Sequence, residues 1–292
     1  MLEKRQIVVG GVRSAVRVSD ASPDSDEAVV FVHGNPGAGE DWGPLLTRTS
    51  AFARVIAPDM PGFGEAERRA DQDYTVPSQA AHLGGIVDQL DVERAHLVLH
   101  DFGGPWGLTW AAAHPDRVAS VTLINTGINR GSHWHGLARL WRTPIAGELT
   151  QLLIRPRVNR AILRRKNPAL PDEWRDRIVN HAAPTGTKRA VLQMYRSLDL
   201  AALEGGLTGP LREMGLPALV VWGADDAFVP AELARRQLKS LPGARVETVP
   251  GAGHWPWLEA PEKAAALILP FLREQLGKTS AGREPSATAM DG

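Results

Sequence analysis

The stretch His96-Leu97-Val98-Leu99-His100-Asp101-Phe102-Gly103-Gly104-Pro105 passes from a short apolar run into a glycine-rich turn and then into a helical pattern, Gly104–His114. A continuous apolar run of this kind reads as a strand buried on both faces, as in a parallel sheet. Asp101 therefore falls on a tight strand-to-helix turn, where glycines allow close packing and the helix amino terminus favours an anion. A carboxylate in that place has two readings. It can cap the helix, since Asp is among the preferred N-cap residues, or it can stand exposed for attack.

Similar runs recur at Ala28–Val32, Arg54–Ala57, Val118–Ile124, Ala218–Trp222 and Arg245–Val249. Helical stretches at Val76–Leu90, Ala231–Leu241 and Pro261–Leu276 lie among them. Strand and helix alternating in this way imply parallel strands with helices on both faces, because each parallel crossover needs a connection long enough to hold a helix. Gln6–Val9 and Ser14–Val18, either side of Gly10-Gly11, read as an opening hairpin. Ligands of such sheets bind beyond the carboxyl ends of the strands, so the residues just after each run are the candidate site residues.

Those residues form a set. His33-Gly34-Asn35-Pro36-Gly37 follows one run, Gly223-Ala224-Asp225-Asp226 another, and Gly251-Ala252-Gly253-His254-Trp255-Pro256 the last. Nucleophile, acid and histidine in this chain order match a strand–turn–helix nucleophile site, which moves Asp101 from helix cap towards nucleophile.

From about Ile128 to Gly215 no buried-strand run occurs, only amphipathic stretches broken by prolines. Residues 128–215 are therefore expected to form a helical cap inserted into a core of residues 1–127 and 216–277. The arginines of this interval outnumber its acids and read as a solvated basic face. Residues 278–292 are small and polar, and are expected to be a disordered tail.

Lys plus Arg and Asp plus Glu both total 33, so charge gives no reason to expect a nucleic-acid partner. The partner expected is a small-molecule substrate, with oligomeric state left open. The absence of cysteine excludes a disulfide framework, a thiolate nucleophile and a Cys-based zinc site, and His82, His96, His114 and His181 show no metal-ligand spacing and read as surface or capping residues. No metal or cofactor is expected. No apolar run approaches the roughly 18 to 20 residues of a membrane span, and no signal-peptide pattern opens the chain. A cytoplasmic protein without a membrane partner is the expectation.

Together, His33-Gly34-Asn35-Pro36, Pro58-Asp59-Met60-Pro61-Gly62-Phe63-Gly64, His100-Asp101-Phe102-Gly103-Gly104, Gly223-Ala224-Asp225-Asp226 and Gly253-His254 resemble the α/β-hydrolase superfamily. In particular they look like its aspartate-nucleophile branch, the epoxide hydrolases and haloalkane dehalogenases. The resemblance spans Gln6 to about Leu276. It implies an α/β-hydrolase fold, with a mostly parallel eight-stranded sheet, helices on both faces and a helical cap. Two departures stand out. Leu99 occupies a position that is usually small, and the alternative acid position after Val118–Ile124 holds Asn125.

The resemblance implies an alkyl-enzyme ester on Asp101, with His254 as general base for the water that hydrolyses it and Asp226 as the orienting acid, its spacing favouring it over Asp225. Backbone N–H groups of Asn35 and Phe102 would form the oxyanion hole. Epoxide hydrolases protonate the ring oxygen with cap tyrosines, and Gln193-Met194-Tyr195-Arg196 resembles one such site; Tyr74, outside the cap, reads as structural. His133 and His135, flanking Trp134, are candidates for a second donor. Dehalogenases hold the halide with a tryptophan after the nucleophile, where this chain has Phe102, which has no N–H to donate. His33, Trp134 and Trp255 complete the substrate-binding candidates. Epoxide opening is the favoured activity and dehalogenation the alternative; a non-catalytic binding member of the fold is the reading from another class.

Overall fold

The structure, a computed structural model, describes residues 2–19, 26–128, 134 and 136–281. Strands β1 (Glu3–Val9), β2 (Val12–Ser19), β3 (Glu27–Val32), β4 (Val55–Pro58), β5 (Arg94–His100), β6 (Val118–Ile124), β7 (Ala218–Gly223) and β8 (Arg245–Val249) form one sheet in the order β1-β2-β4-β3-β5-β6-β7-β8. β1 and β2 pair antiparallel as the hairpin around Gly10-Gly11, and β2 also runs antiparallel to β4. From β4 to β8 all pairings are parallel.

The two-residue alternation of strands splits the core into two layers. Val30, Val32, Leu97, Leu99, Val121 and Leu123 face one cluster, which also holds residues of α2 (Val76–Gln89) and α3 (Gly103–Ala113). Val29, Phe31, Val98, Ile124, Leu219 and Val221 face the other, with α1 (Gly43–Thr49) and α11 (Pro261–Ala281). Central strands β3, β6 and β7 are buried along their whole length, which is why they read as unbroken apolar runs. Leu99, the large residue before the turn, is accommodated by Gly107 of α3: a methyl there would lie 2.4 Å from a Leu99 terminal carbon.

Between β6 and β7 lie α4 (Gly136–Arg142), α5 (Ala146–Leu153), α6 (Pro156–Lys166), α7 (Asp172–Ala182), α8 (Thr185–Ser197) and α9 (Leu200–Glu213). The last of these, α9, returns to the core and packs against α3, with Leu211 fully buried. A short α10 (Pro256–Glu259) follows the final strand.

Three expectations are corrected. Ala231–Leu241 is not an α-helix but two 3₁₀ turns, Ala231–Leu233 and Arg235–Lys239. Ala234, Gln237 and Ser240 are buried at every third position, the 3₁₀ period, and Leu241 is buried beside the last of them. The carboxyl-terminal tail does not begin at Lys278, because α11 continues to Ala281 and Lys278 donates to Glu274 one turn earlier at 2.6 Å; residues 282–292 lie outside the described residues. Finally, His82 and His96 are buried rather than superficial, paired at 2.8 Å with the hydroxyls of Ser14 and Ser120. His181 of α7 is likewise mostly buried, 3.0 Å from Asp41.

Candidate active site

The turn after β5 places Asp101 with φ +47°, a left-handed conformation that a non-glycine residue adopts only when its surroundings enforce it. Two glycines let the neighbouring strand end approach. A methyl on Gly34 would sit 2.3 Å from Asp101 Cβ, and one on Gly103 2.3 Å from the Val32 carbonyl oxygen. The Thr126 hydroxyl, at the end of β6, donates to the Asp101 carbonyl oxygen and ties the turn to the next strand.

The Asp101 carboxylate is divided between two environments. Oδ1 accepts the Asn35 backbone N–H at 2.9 Å, while Oδ2 faces His254 Nε2 at 3.7 Å. Oδ1 and the Phe102 nitrogen both lie beside Gly34, 2.6 and 2.8 Å from the point a methyl there would occupy. One carboxylate oxygen thus rests on the Asn35 N–H and the other lies towards the histidine.

His254 Nδ1 is 2.7 Å from Asp226 Oδ2, a side chain with no exposed surface. That carboxylate is surrounded by donors: Oδ1 accepts the N–H groups of Phe228 and Val229 at 2.7 and 2.9 Å, and Oδ2 also accepts Asn125 Nδ2 at 2.6 Å. Burial alone would raise its pKa, but the His254 charge and these hydrogen bonds outweigh burial and hold it below the ordinary carboxylate value. The ionised Asp226 accepts the His254 Nδ1 proton, and Nε2 is turned towards Asp101. At 3.7 Å the two do not share a hydrogen bond. Asp225, the other acid considered, is exposed and takes no part.

The structure adds two residues to the set. Asn125, at the alternative acid position after β6, has φ +49° and no exposed surface. It donates to Asp226 Oδ2 and, at 3.2 Å, to the Gly253 carbonyl, and it accepts from Gly223 N–H at 3.1 Å. His100 Nε2 donates to the His254 carbonyl at 2.9 Å, with ring centroids 4.7 Å apart. Burial, and then the neighbouring His254, push His100 down to about 3, so it stays neutral and supports its neighbour without competing for the proton.

Above Asp101 lies a largely apolar cavity whose wall includes Asn35, Trp134, Tyr195, His254 and Trp255. Tyr195 is wedged among Phe102, Trp134 and Trp141, with ring centroids 5.0, 5.4 and 5.0 Å away. The Phe102 side chain is fully buried behind the wall rather than in it. His33 is removed from the substrate-binding set, because both of its nitrogens are committed to backbone: Nδ1 donates to the Gly34 carbonyl at 2.8 Å and Nε2 accepts Met60 N–H at 3.0 Å. Burial lowers its pKa and keeps it in this neutral form. His133 and His135 lie outside the described residues. Tyr74 is buried and donates to the Arg69 carbonyl at 2.9 Å.

This sheet order, with an acidic elbow, a histidine and a cavity at the carboxyl edge, defines a class of protein. The chain belongs to the alpha/beta hydrolase fold family, whose model matches residues 27–261. It is 28% identical to a 2-hydroxy-6-oxononadienedioate/2-hydroxy-6-oxononatrienedioate hydrolase of Burkholderia vietnamiensis, over 91% of this chain and 94% of that one. Among solved structures it resembles the meta-cleavage product hydrolase of Pseudomonas fluorescens IP01, with a TM-score of 0.75 and 23% identity over 92% of this chain and 97% of that one. It also resembles an epoxide hydrolase, CorEH, with a TM-score of 0.76 and 18% identity over 92% and 99%. Likeness at this identity shows the fold. The protein is thus an α/β-fold hydrolase, and its sequence relatives do not single out the aspartate-nucleophile branch that the resemblance suggested.

Proposed function

We propose that the protein hydrolyses small apolar epoxides to diols through a covalent alkyl ester on Asp101, beneath a cap formed by the helices between β6 and β7. One observation carries this reading: the carboxylate at the elbow has one oxygen on a backbone N–H and the other on the side of the histidine. Oδ2 attacks a ring carbon, the carbon–oxygen bond breaks, and the Tyr195 hydroxyl gives its proton to the departing oxygen. A water that loses its proton to His254 Nε2 then attacks Asp101 Cγ. The charge that develops on Oδ1 is met by the Asn35 and Phe102 N–H groups. Collapse expels the former Oδ2 with the alkyl group as an alkoxide, which takes the proton of the hydroxyl left on Cγ to give the diol and restore the carboxylate, and the proton on His254 returns through water to Tyr195.

The printed activities of the sequence relatives concern oxo-dienoates, whose reacting centre is a carbonyl. A carboxylate is poorly matched to that centre, because the tetrahedral adduct expels the carboxylate again more readily than it breaks a carbon–carbon bond. Saturated carbon, from which halide or strained oxygen departs, is the centre at which an aspartate forms a stable ester. Dehalogenation is the second reading, favoured by the Trp134 and Trp141 side chains in the cavity wall. The experiment is a product assay across terminal epoxides, bromoalkanes and oxo-dienoates, with Tyr195→Phe alongside. Diol formation, little halide, and a loss of about 10² or more in epoxide turnover for the variant are expected. Efficient halide release without epoxide turnover would replace this reading with the second.

A further inference from the structure

Among the described residues, every large aliphatic side chain that stands exposed, apart from Val8, lies between Leu140 and Val158. Ile145, Leu149, Leu152 and Leu153 are 74, 53, 72 and 71% exposed. Ile145 is the N-cap of α5, and Leu149, Leu152 and Leu153 fall on one helical stripe of it, the pattern that ordinarily faces a core. Here it faces outward, because α5 docks on α8 by its opposite side, through the buried Gly147 against Leu192 and Arg196. The stripe borders the cavity over Asp101: Gln151 and Ile154 line that cavity, and so does Pro156, which is itself exposed, so the cavity reaches the surface beside the stripe.

The charge around this stripe is as uneven as its polarity. Residues 139–166 hold eight arginines and lysines and one acid, Glu148, in a chain whose charges balance at 33 of each sign. Glu148 is already bound by the Arg196 guanidinium at 2.7 and 2.8 Å. Arg155, Arg157, Arg164 and Arg165 are exposed and have no carboxylate partner among the described residues. An aliphatic ridge flanked by unneutralised arginines is complementary to an anionic bilayer surface, where the apolar side chains enter the headgroup boundary and the guanidinium groups meet lipid phosphates. A second copy of the chain is a poor occupant, because a two-fold contact through this face would set the basic flank against itself. The lack of a spanning segment argued against a membrane partner only in the sense of crossing: no described helix is long and apolar enough to do so.

We propose that the face formed by α5 and α6 seats the protein on anionic membranes, with the cavity mouth opening towards the lipid, so that apolar substrates enter from the bilayer. This inference does not depend on the chemistry at Asp101. Its test is sedimentation of the full chain with vesicles of phosphatidylcholine alone or with added phosphatidylserine, at low and raised salt. Binding to the anionic vesicles, weakened by salt and about tenfold or more weaker in both L152S/L153S and R157E/R164E, is the expected result. Both double variants should retain wild-type turnover of a water-soluble substrate, which reports on their folding. Absence of wild-type binding at low salt, or equal binding to both vesicle types, would overturn the proposal. So would a dimer in light scattering that L152S/L153S dissolves, which would make the face a contact between copies.

Discussion

Asp226→Asn puts a donor where four donors already converge. Phe228 N–H and Val229 N–H point at Oδ1, and Asn125 Nδ2 and His254 Nδ1 point at Oδ2. If the asparagine oxygen keeps the two backbone N–H groups, its NH₂ must face Asn125 and His254. His254 then accepts at Nδ1 and carries its proton on Nε2, towards Asp101. In that tautomer the ring cannot take a proton from water. The wrong tautomer should lower turnover by about 10³ to 10⁴, while the lost charge-assisted hydrogen bond costs roughly 1.5–3 kcal/mol of stability. Alkylation needs no proton from His254, so it should survive. Mixing the variant with excess epoxide should therefore accumulate a covalent adduct, read by intact-protein mass spectrometry and mapped to the peptide containing Asp101, while wild type shows it only transiently. Turnover within tenfold of wild type would refute the reasoning, since His254 would then need no acid to fix its tautomer.

Gly34→Ala should displace the nucleophile, because the new methyl would lie 2.3 Å from Asp101 Cβ, roughly 1.2 Å inside a normal carbon–carbon contact of about 3.5 Å. We expect kcat/KM to fall by about 10² with the circular dichroism spectrum retained; unchanged kinetics would show that the turn tolerates what its geometry forbids. Acid should destabilise the fold through His100 and His82, which burial holds neutral with values of about 3 and about 4. The unfolded chain takes up protons below about 6.5, so stability falls as pH drops from there, by up to about 1.4 kcal/mol per pH unit for each histidine until its folded value is reached. Urea midpoints that stay level between about pH 6.5 and 4.5 would contradict this.

The sheet was legible because its central strands are buried on both faces and leave unbroken apolar runs. The elbow and its partners were legible because the site gathers at strand ends, where turn residues are conspicuous. What stayed hidden depends on side-chain surroundings. Asn125 occupies the strand end of the alternative acid, yet its role as donor to Asp226 follows from a left-handed backbone and three hydrogen bonds that no spacing displays. His33 looked like a site residue from its place in the turn, but its ring faces backbone groups of two loops. The stripe on α5 misleads in the opposite sense. Leu149, Leu152 and Leu153 have the spacing of a core-facing helix and face solvent instead, so the arginines nearby read as an ordinary solvated face until the exposure is known.

The claim that Asp101 is alkylated is tested most directly by a single turnover in water labelled with heavy oxygen, with enzyme in excess over an epoxide. If the ester forms and water attacks Cγ, the oxygen delivered to the diol is the unlabelled Oδ2 of Asp101. The label then appears in the peptide containing Asp101, and the diol stays unlabelled. Label in the diol and none in that peptide would mean that water attacks the substrate itself, and that Asp101 forms no bond to it.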